Sequence, residues 1–250
     1  MKESGKRIIY GVNPVVEALR SGSETVERVV ISTSKSGAST AQVVAAAKAS
    51  KVRIDRVPRA EVDRLAEGAK HQGVVAVVVG KYSYTLLEEL IEAWQATGEP
   101  AFFVILDSIQ DPQNLGSLIR GADCAGAHGI IITKDRSAKV TPAVAKASAG
   151  ATAHVAVTRV TNLTRAIELL KEAGVWVTAL EAGEGSTLYD IDLTSNTAIV
   201  LGSEGAGVRR LVKERCDHVV SLPIAGGVNS LSAAQAGVVS MFEVMRQRMG

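Results

Sequence analysis

The sequence predicts an α/β protein, and three observations carry the prediction. Short apolar runs, such as Val104 to Leu106 and Ile130 to Ile132, alternate with segments of helical periodicity. Apolar residues make up 46% of the 250 residues but aromatics only 4%, so the core must be built from Val, Ile, Leu and Ala, as in parallel α/β folds. Polar and glycine-rich turns fall at the ends of the apolar runs, where ligands bind in open parallel sheets.

Element by element, residues 13–20 read as a helix, 26–32 as a strand, 40–49 as a helix and 52–57 as a strand. A short helix at 59–67 and a strand at 74–79 complete a small α/β unit. Residues 81–100 form an amphipathic pattern ending at Gly98 and Pro100, read as a linker helix between two domains. From residue 101 the pattern is strand (101–106), helix (115–126) and strand (129–133). An Ala-rich segment (141–150), a strand (154–157) and a helix (162–173) follow. Strands at 175–180 and 198–201, a helix at 208–215, a strand at 218–221 and a final helix at 231–249 close the chain. Such alternation predicts a parallel sheet with helices on both faces. The expected domains are therefore 1–80, a linker helix at 81–100, and 101–250.

The net charge of +2 conceals an asymmetry. Residues 1–80 hold 13 Lys/Arg against 8 Asp/Glu, a balance of +5, and the other 170 hold 15 against 18, a balance of −3. A basic first part suits a polyanionic partner, with a merely solvated surface as the alternative. Cys124 and Cys216 lie far apart without ligand-spaced partners, which argues against a disulfide framework or a zinc site and suits two buried small hydrophobes. No apolar run reaches membrane-span length and no apolar stretch marks the N-terminus for export, so a cytoplasmic location is expected.

Three polar segments stand at strand ends. In DPQNLGSLIR, Asn114 suits a helix N-cap or a functional role. Arg120 lies among Leu118, Ile119, Gly121 and Ala122, where a buried guanidinium needs an anion, either a protein carboxylate or a ligand phosphate. In AIVLGSEGAGVRRL, a buried strand enters a turn with Gly202, Gly205 and Gly207, which lets backbone amides approach a ligand. The spacing does not match a dinucleotide fingerprint, and Glu204 alternatively serves the helix dipole. The third segment carries Gly226, Gly227, Asn229 and Ser230 in a loop before a helix that opens with Ala and Gly, suited to close packing or a ligand.

In this order, DPQNLGSLIRGADCAGAHGIII, IVLGSEGAGVRRLV and LPIAGGVNSLSAAQAGVVSMFE resemble the three motifs of the SpoU (TrmH-like) family of RNA ribose 2′-O-methyltransferases, within the SPOUT superfamily. IIYGVNPVVEAL and HQGVVAVV resemble the substrate-binding domain of its rRNA branch. The resemblance implies a small L30e-like N-terminal domain, a C-terminal parallel-sheet domain with a deep trefoil knot, a homodimer, and methylation of a guanosine ribose in 23S rRNA. It implies S-adenosylmethionine as cosubstrate, held around Gly202, Leu222, Leu231 and Ser232, and an active site of Arg120, Asn114, Glu204 and Ser230. At position 232 the family motif usually has Asn, where this chain has Ser.

Transfer to a 2′-hydroxyl requires loss of its proton, and the four histidines, His71, His128, His154 and His218, lie in or beside predicted strands, away from these loops. The resemblance assigns the proton-accepting role to Arg120, assisted by an RNA phosphate. Alternative readings are a tRNA 2′-O-methyltransferase, a non-catalytic RNA-binding assembly factor and a nucleotide-binding oxidoreductase. The missing fingerprint disfavours the last.

Overall fold

Side-chain alternation along its strands places the first unit's core on both faces of one sheet. A computed structural model describes residues 5–183, 186–228 and 230–250. The chain runs β1 (Lys6–Tyr10), α1 (Val12–Ser21), β2 (Val26–Ser32), α2 (Ala38–Ala49), β3 (Arg53–Val57), α3 (Arg59–Leu65) and β4 (Val74–Val79). The sheet order is β1-β4-β2-β3, with β4 antiparallel to both neighbours and β2 parallel to β3. Val74, Ala76 and Val78 join Val29 and Ile31 in one cluster with α1 and α2, while Val75 and Val30 meet Val62 of α3 on the other face. β1 was not expected. It is an edge strand with only Ile9 buried, so its period-2 signal is faint.

The second unit adds α4 (Leu87–Gln95), β5 (Phe102–Leu106), α5 (Pro112–Cys124) and β6 (Gly129–Thr133). After α6 (Pro142–Ala147) come β7 (Ala156–Val160), α7 (Leu163–Glu172), β8 (Trp176–Leu180), β9 (Ser186–Thr187) and β10 (Thr197–Leu201). It ends with α8 (Arg210–Lys213), β11 (His218–Ser221) and α9 (Ala233–Met249). Seven parallel strands take the order β7-β6-β5-β10-β8-β11-β9. β5, β6 and β10 are buried along their whole length, the mark of strands covered on both faces. Phe103, Ile105, Ile131 and Val200 face α4, α7 and α8. On the other face α5 and α9 pack together, α5 reaching β6 and α9 reaching β10. A Cβ at Gly237 would collide with side chains of Leu118 and Leu201, so the small residues opening α9 serve packing within this chain. Arg248 ties the end of α9 to carbonyls of Ala101 (2.6 Å) and Ser195 (2.8 Å).

Two boundaries differ from the sequence reading. Leu87, Leu90 and Trp94 of α4 are buried in the second unit's core, so this helix is a layer of that unit rather than a linker. Residues 140–154, which include α6, belong to the first unit although strands of the second flank them in sequence. Cys124 is exposed, not buried. Cys216 is shielded, its Sγ donating to the Val212 carbonyl at 3.3 Å, and burial with the neighbouring Asp217 charge pushes its thiol up to about 12. Among the described residues, no helix is long and apolar enough to cross a membrane.

Candidate active site

Because all seven strands run the same way, the loops that leave β5, β8, β10 and β11 emerge at one edge of the sheet. Leu106, Leu201 and Leu180 are in register at the ends of β5, β10 and β8. The strand order also reverses there: the chain leaves β5 towards β6 and β7, then returns to build the other side. Crevices form at such points in open α/β sheets.

A cleft of about 600 Å³ opens at this edge. Its walls include Gly202 and Glu204 after β10, Leu222 after β11, and Ser230, Leu231 and Ser232 before α9. Six of the eight site residues expected from sequence thus line one cleft. Asn229, noted with them, lies outside the described residues. A smaller cleft of about 300 Å³ is lined by Ser108, Gln110, Asp111 and Asn114 together with Ser203 and Glu204, which border both.

The loop after β10 is folded back on itself, with the Gly207 amide donating to the Ser203 carbonyl at 2.9 Å. A Cβ on Gly202 would overlap the Gly207 carbonyl and the Val208 nitrogen, and one on Gly207 would overlap the Glu181 carboxylate. Two carboxylates from neighbouring strand ends hold the loop's far side. Glu181, after β8, accepts from the Val208 amide at 3.2 Å. Asp107, after β5 and fully buried, accepts from the Arg209 amide at 2.9 Å and from Arg209 Nε at 2.7 Å. The sequence reading missed both. The signal was available, since each is the first polar residue after an apolar strand whose end faces the site. Removing one partner of a buried ion pair strands the other, so Asp107→Ala is expected to cost about 3 kcal/mol, near the lower bound for such pairs because Arg209 is half-exposed. Chemical denaturation measures this, and a loss below about 1 kcal/mol would show that the pair does not hold the loop.

Asn114 is not the N-cap. Asp111 caps α5, accepting from the Gln113 and Asn114 amides, and Pro112 occupies the first helical turn. That frees the Asn114 side chain, whose Nδ2 donates to Glu204 Oε1 at 3.0 Å and joins the loops after β5 and β10. Arg120 lies six residues further, about 9 Å along the helix axis. It is exposed, not buried among its apolar neighbours, because Leu118, Ile119 and Ala122 carry the buried face of α5. It makes no hydrogen bond or ion pair with another described residue and lines neither cleft.

Ser232 is the N-cap of α9. Its Oγ accepts from the Gln235 amide at 3.2 Å while Gln235 Oε1 accepts from the Ser232 amide at 3.0 Å, a capping box that starts the helix at Ala233 rather than at 231. Asn and Ser are comparable N-caps, so the departure from the family motif at this position keeps the helix start. No histidine lines either cleft. No group of acidic, His and Cys residues suited to a metal occurs among the described residues.

The SpoU rRNA Methylase family matches residues 101–242, and the domain described as RNA 2'-O ribose methyltransferase substrate binding matches residues 8–84. The chain is 43% identical over 240 residues to YacO of Bacillus subtilis, named for the TrmH family of tRNA/rRNA methyltransferases, covering 96% of this chain and 95% of that one. It is 41% identical over 243 residues to the 23S rRNA (guanosine-2'-O-)-methyltransferase RlmB of Pseudomonas syringae, covering 96% and 95%. The SpoU methyltransferase AviRb of Streptomyces viridochromogenes, crystallised with AdoMet, superposes with a TM-score of 0.79 at 26% identity, covering 98% of this chain and 92% of that one.

Proposed function

Since this chain belongs to the SpoU rRNA methylase family, we propose that it methylates a ribose 2′-hydroxyl of RNA, with a guanosine of 23S rRNA as the target. It is an RNA methyltransferase that uses S-adenosylmethionine. The observation that carries the fuller reading is the convergence of Gly202, Glu204, Leu222, Ser230, Leu231 and Ser232 on one cleft of suitable size for a nucleoside-sized ligand, on the order of 300–1,000 Å³. The substrate preference is supported by the relative named for 23S rRNA and by the substrate-binding match over the basic first unit.

The cleft fits the methyl donor chemically. Gly202 and Gly207 leave backbone where side chains would fill the floor, Leu222 and Leu231 supply apolar walls, and the carboxylates of Glu181 and Glu204 suit a cationic ligand with hydroxyl groups. When bound, S-adenosylmethionine supplies an electrophilic methyl group. Asn114 and Glu204 hold the border between the two clefts, where a ribose in the smaller one would face the donor. Orientation of this kind is worth about 7–11 kcal/mol in well-aligned cases. Arg120, whose guanidinium has no partner among the described residues, binds the phosphate beside the target and orients the 2′-hydroxyl, whose proton passes to solvent as the methyl arrives, since a guanidinium offers donors only. The homodimer is supported by Val239 and Phe242, which lie exposed on the outer face of α9.

The test is transfer of labelled methyl from S-adenosylmethionine to unmodified 23S rRNA and, in parallel, to unmodified tRNA, with mapping of the 2′-O-methyl position. Label at a 23S rRNA guanosine is expected. Label confined to tRNA would overturn the substrate, and label on a base would overturn the ribose assignment.

A further inference from the structure

The substrate-binding match stops at residue 84, yet the structure completes this unit with residues 140–154. That insertion brings Lys146, on α6, against β1. The Lys146 ammonium lies 5.4 Å from the centre of the Tyr10 ring, at the end of β1. Tyr10 is paired with Val75, just after the turn at 71–73, and Lys70 precedes that turn. Lys35 follows β2, where the Ser32 amide donates to the Gly73 carbonyl at 2.9 Å, and a Cβ on Gly73 would sit 3.1 Å from Lys35 Cβ. Three lysines and an aromatic ring therefore gather at one end of the first sheet.

Among the described residues, no ion pair engages Lys35, Lys70 or Lys146. The carboxylates of this unit that form ion pairs do so with other cations: Glu17 with Arg20 and His154, Glu24 with Arg7, Glu27 with Lys6, Asp55 with Arg28 and Arg53, and Asp63 with His71 and Arg59. Burial, and then the repulsion of Lys70, hold the Lys146 ammonium below the usual lysine range. An anion placed between the two would offset their repulsion and favour the charged ammonium.

We propose that Lys70 and Lys146, the latter seated on Tyr10 and flanked by Lys35, grip a backbone phosphate of the RNA substrate. This rests on the RNA-methyltransferase reading and locates one point of substrate contact. The insertion within the catalytic sequence thereby contributes a residue to the RNA-binding unit. Because a phosphate contact carries no base information, it sets affinity and register rather than sequence preference.

The test uses full-length wild-type, Lys70→Ala, Lys146→Ala, the double variant and Lys146→Arg. RNA affinity for a transcribed 23S rRNA fragment is measured across salt concentrations, with methylation kinetics alongside. Each Ala variant is expected to weaken RNA binding several-fold and flatten the plot of log affinity against log salt by about 0.7–0.9. KM for RNA should rise while KM for S-adenosylmethionine and kcat at saturating RNA stay unchanged, and Lys146→Arg should retain the wild-type slope. A double variant with wild-type affinity and slope overturns the phosphate site, as does a loss of kcat with RNA binding intact. A wild-type protein that binds RNA with the steep slope but transfers no methyl group would overturn the enzymatic reading while leaving this contact standing.

Discussion

Replacing Arg120 by alanine is expected to slow methyl transfer by about 10²–10³-fold, the range lost with one positioned donor that stabilises the reacting charge. The same substitution should barely change stability. Arg120 is exposed and has no partner among the described residues, and surface changes of that kind stay within about 0.5 kcal/mol. Affinity for S-adenosylmethionine should also be unchanged, because Arg120 does not line the larger cleft. The three measurements separate a role in the reaction from a role in the fold. Arg120→Lys retains charge but loses the planar fork suited to a phosphate, and it should recover only part of the rate. Single-turnover methylation of 23S rRNA at saturating donor reads the effect directly, and a near wild-type rate for Arg120→Ala would remove this residue from the mechanism.

Gly202→Ala should abolish useful binding of S-adenosylmethionine, with at least about a 100-fold loss, or roughly 2.7 kcal/mol. The added methyl group would overlap the main chain of Gly207 and Val208, and main chain cannot turn aside as a flexible side chain can. The loop must open, which pulls the Val208 amide from Glu181 and the Arg209 amide from Asp107. Overpacking of this sort costs about 1–3 kcal/mol of stability as well. Gly226→Ala is the control, because a Cβ there meets nothing within 4 Å and its backbone is not in the left-handed region. Calorimetric titration with the donor should show the control binding as wild-type. Wild-type affinity in Gly202→Ala would mean that the loop after β10 does not form the donor's floor.

The helix that carries Asn114 and Arg120 shows where sequence reasoning succeeds and stops. The period of Leu115, Leu118, Ile119 and Ala122 reveals the helix. It does not reveal that Asp111 outcompetes Asn114 for the first-turn amides, because both residues are good caps and the start depends on where Pro112 can enter the helix. Nor does it reveal that Arg120 faces solvent. Its neighbours in sequence are apolar, but its exposure is set by the phase at which α5 settles on the sheet and on α9. The position of Asp107 after an apolar strand was legible, but its pairing with Arg209, 102 positions away in the chain, was not, because only the assembled sheet brings the two together.

The sequence by itself determined the α/β class, nearly all of the helices and strands, and the three loops that contain the candidate site. Those features rest on periodicity and turn chemistry, which act over a few residues and are written in consecutive letters. The tertiary structure decided the strand order that sets the loops after β5, β8, β10 and β11 around shared clefts, the two carboxylates that hold the loop after β10, and the return of residues 140–154 to the first unit. Each of these joins residues far apart in the chain through burial and hydrogen bonding, and such contacts leave no local pattern because their partner is chosen only when the sheet assembles.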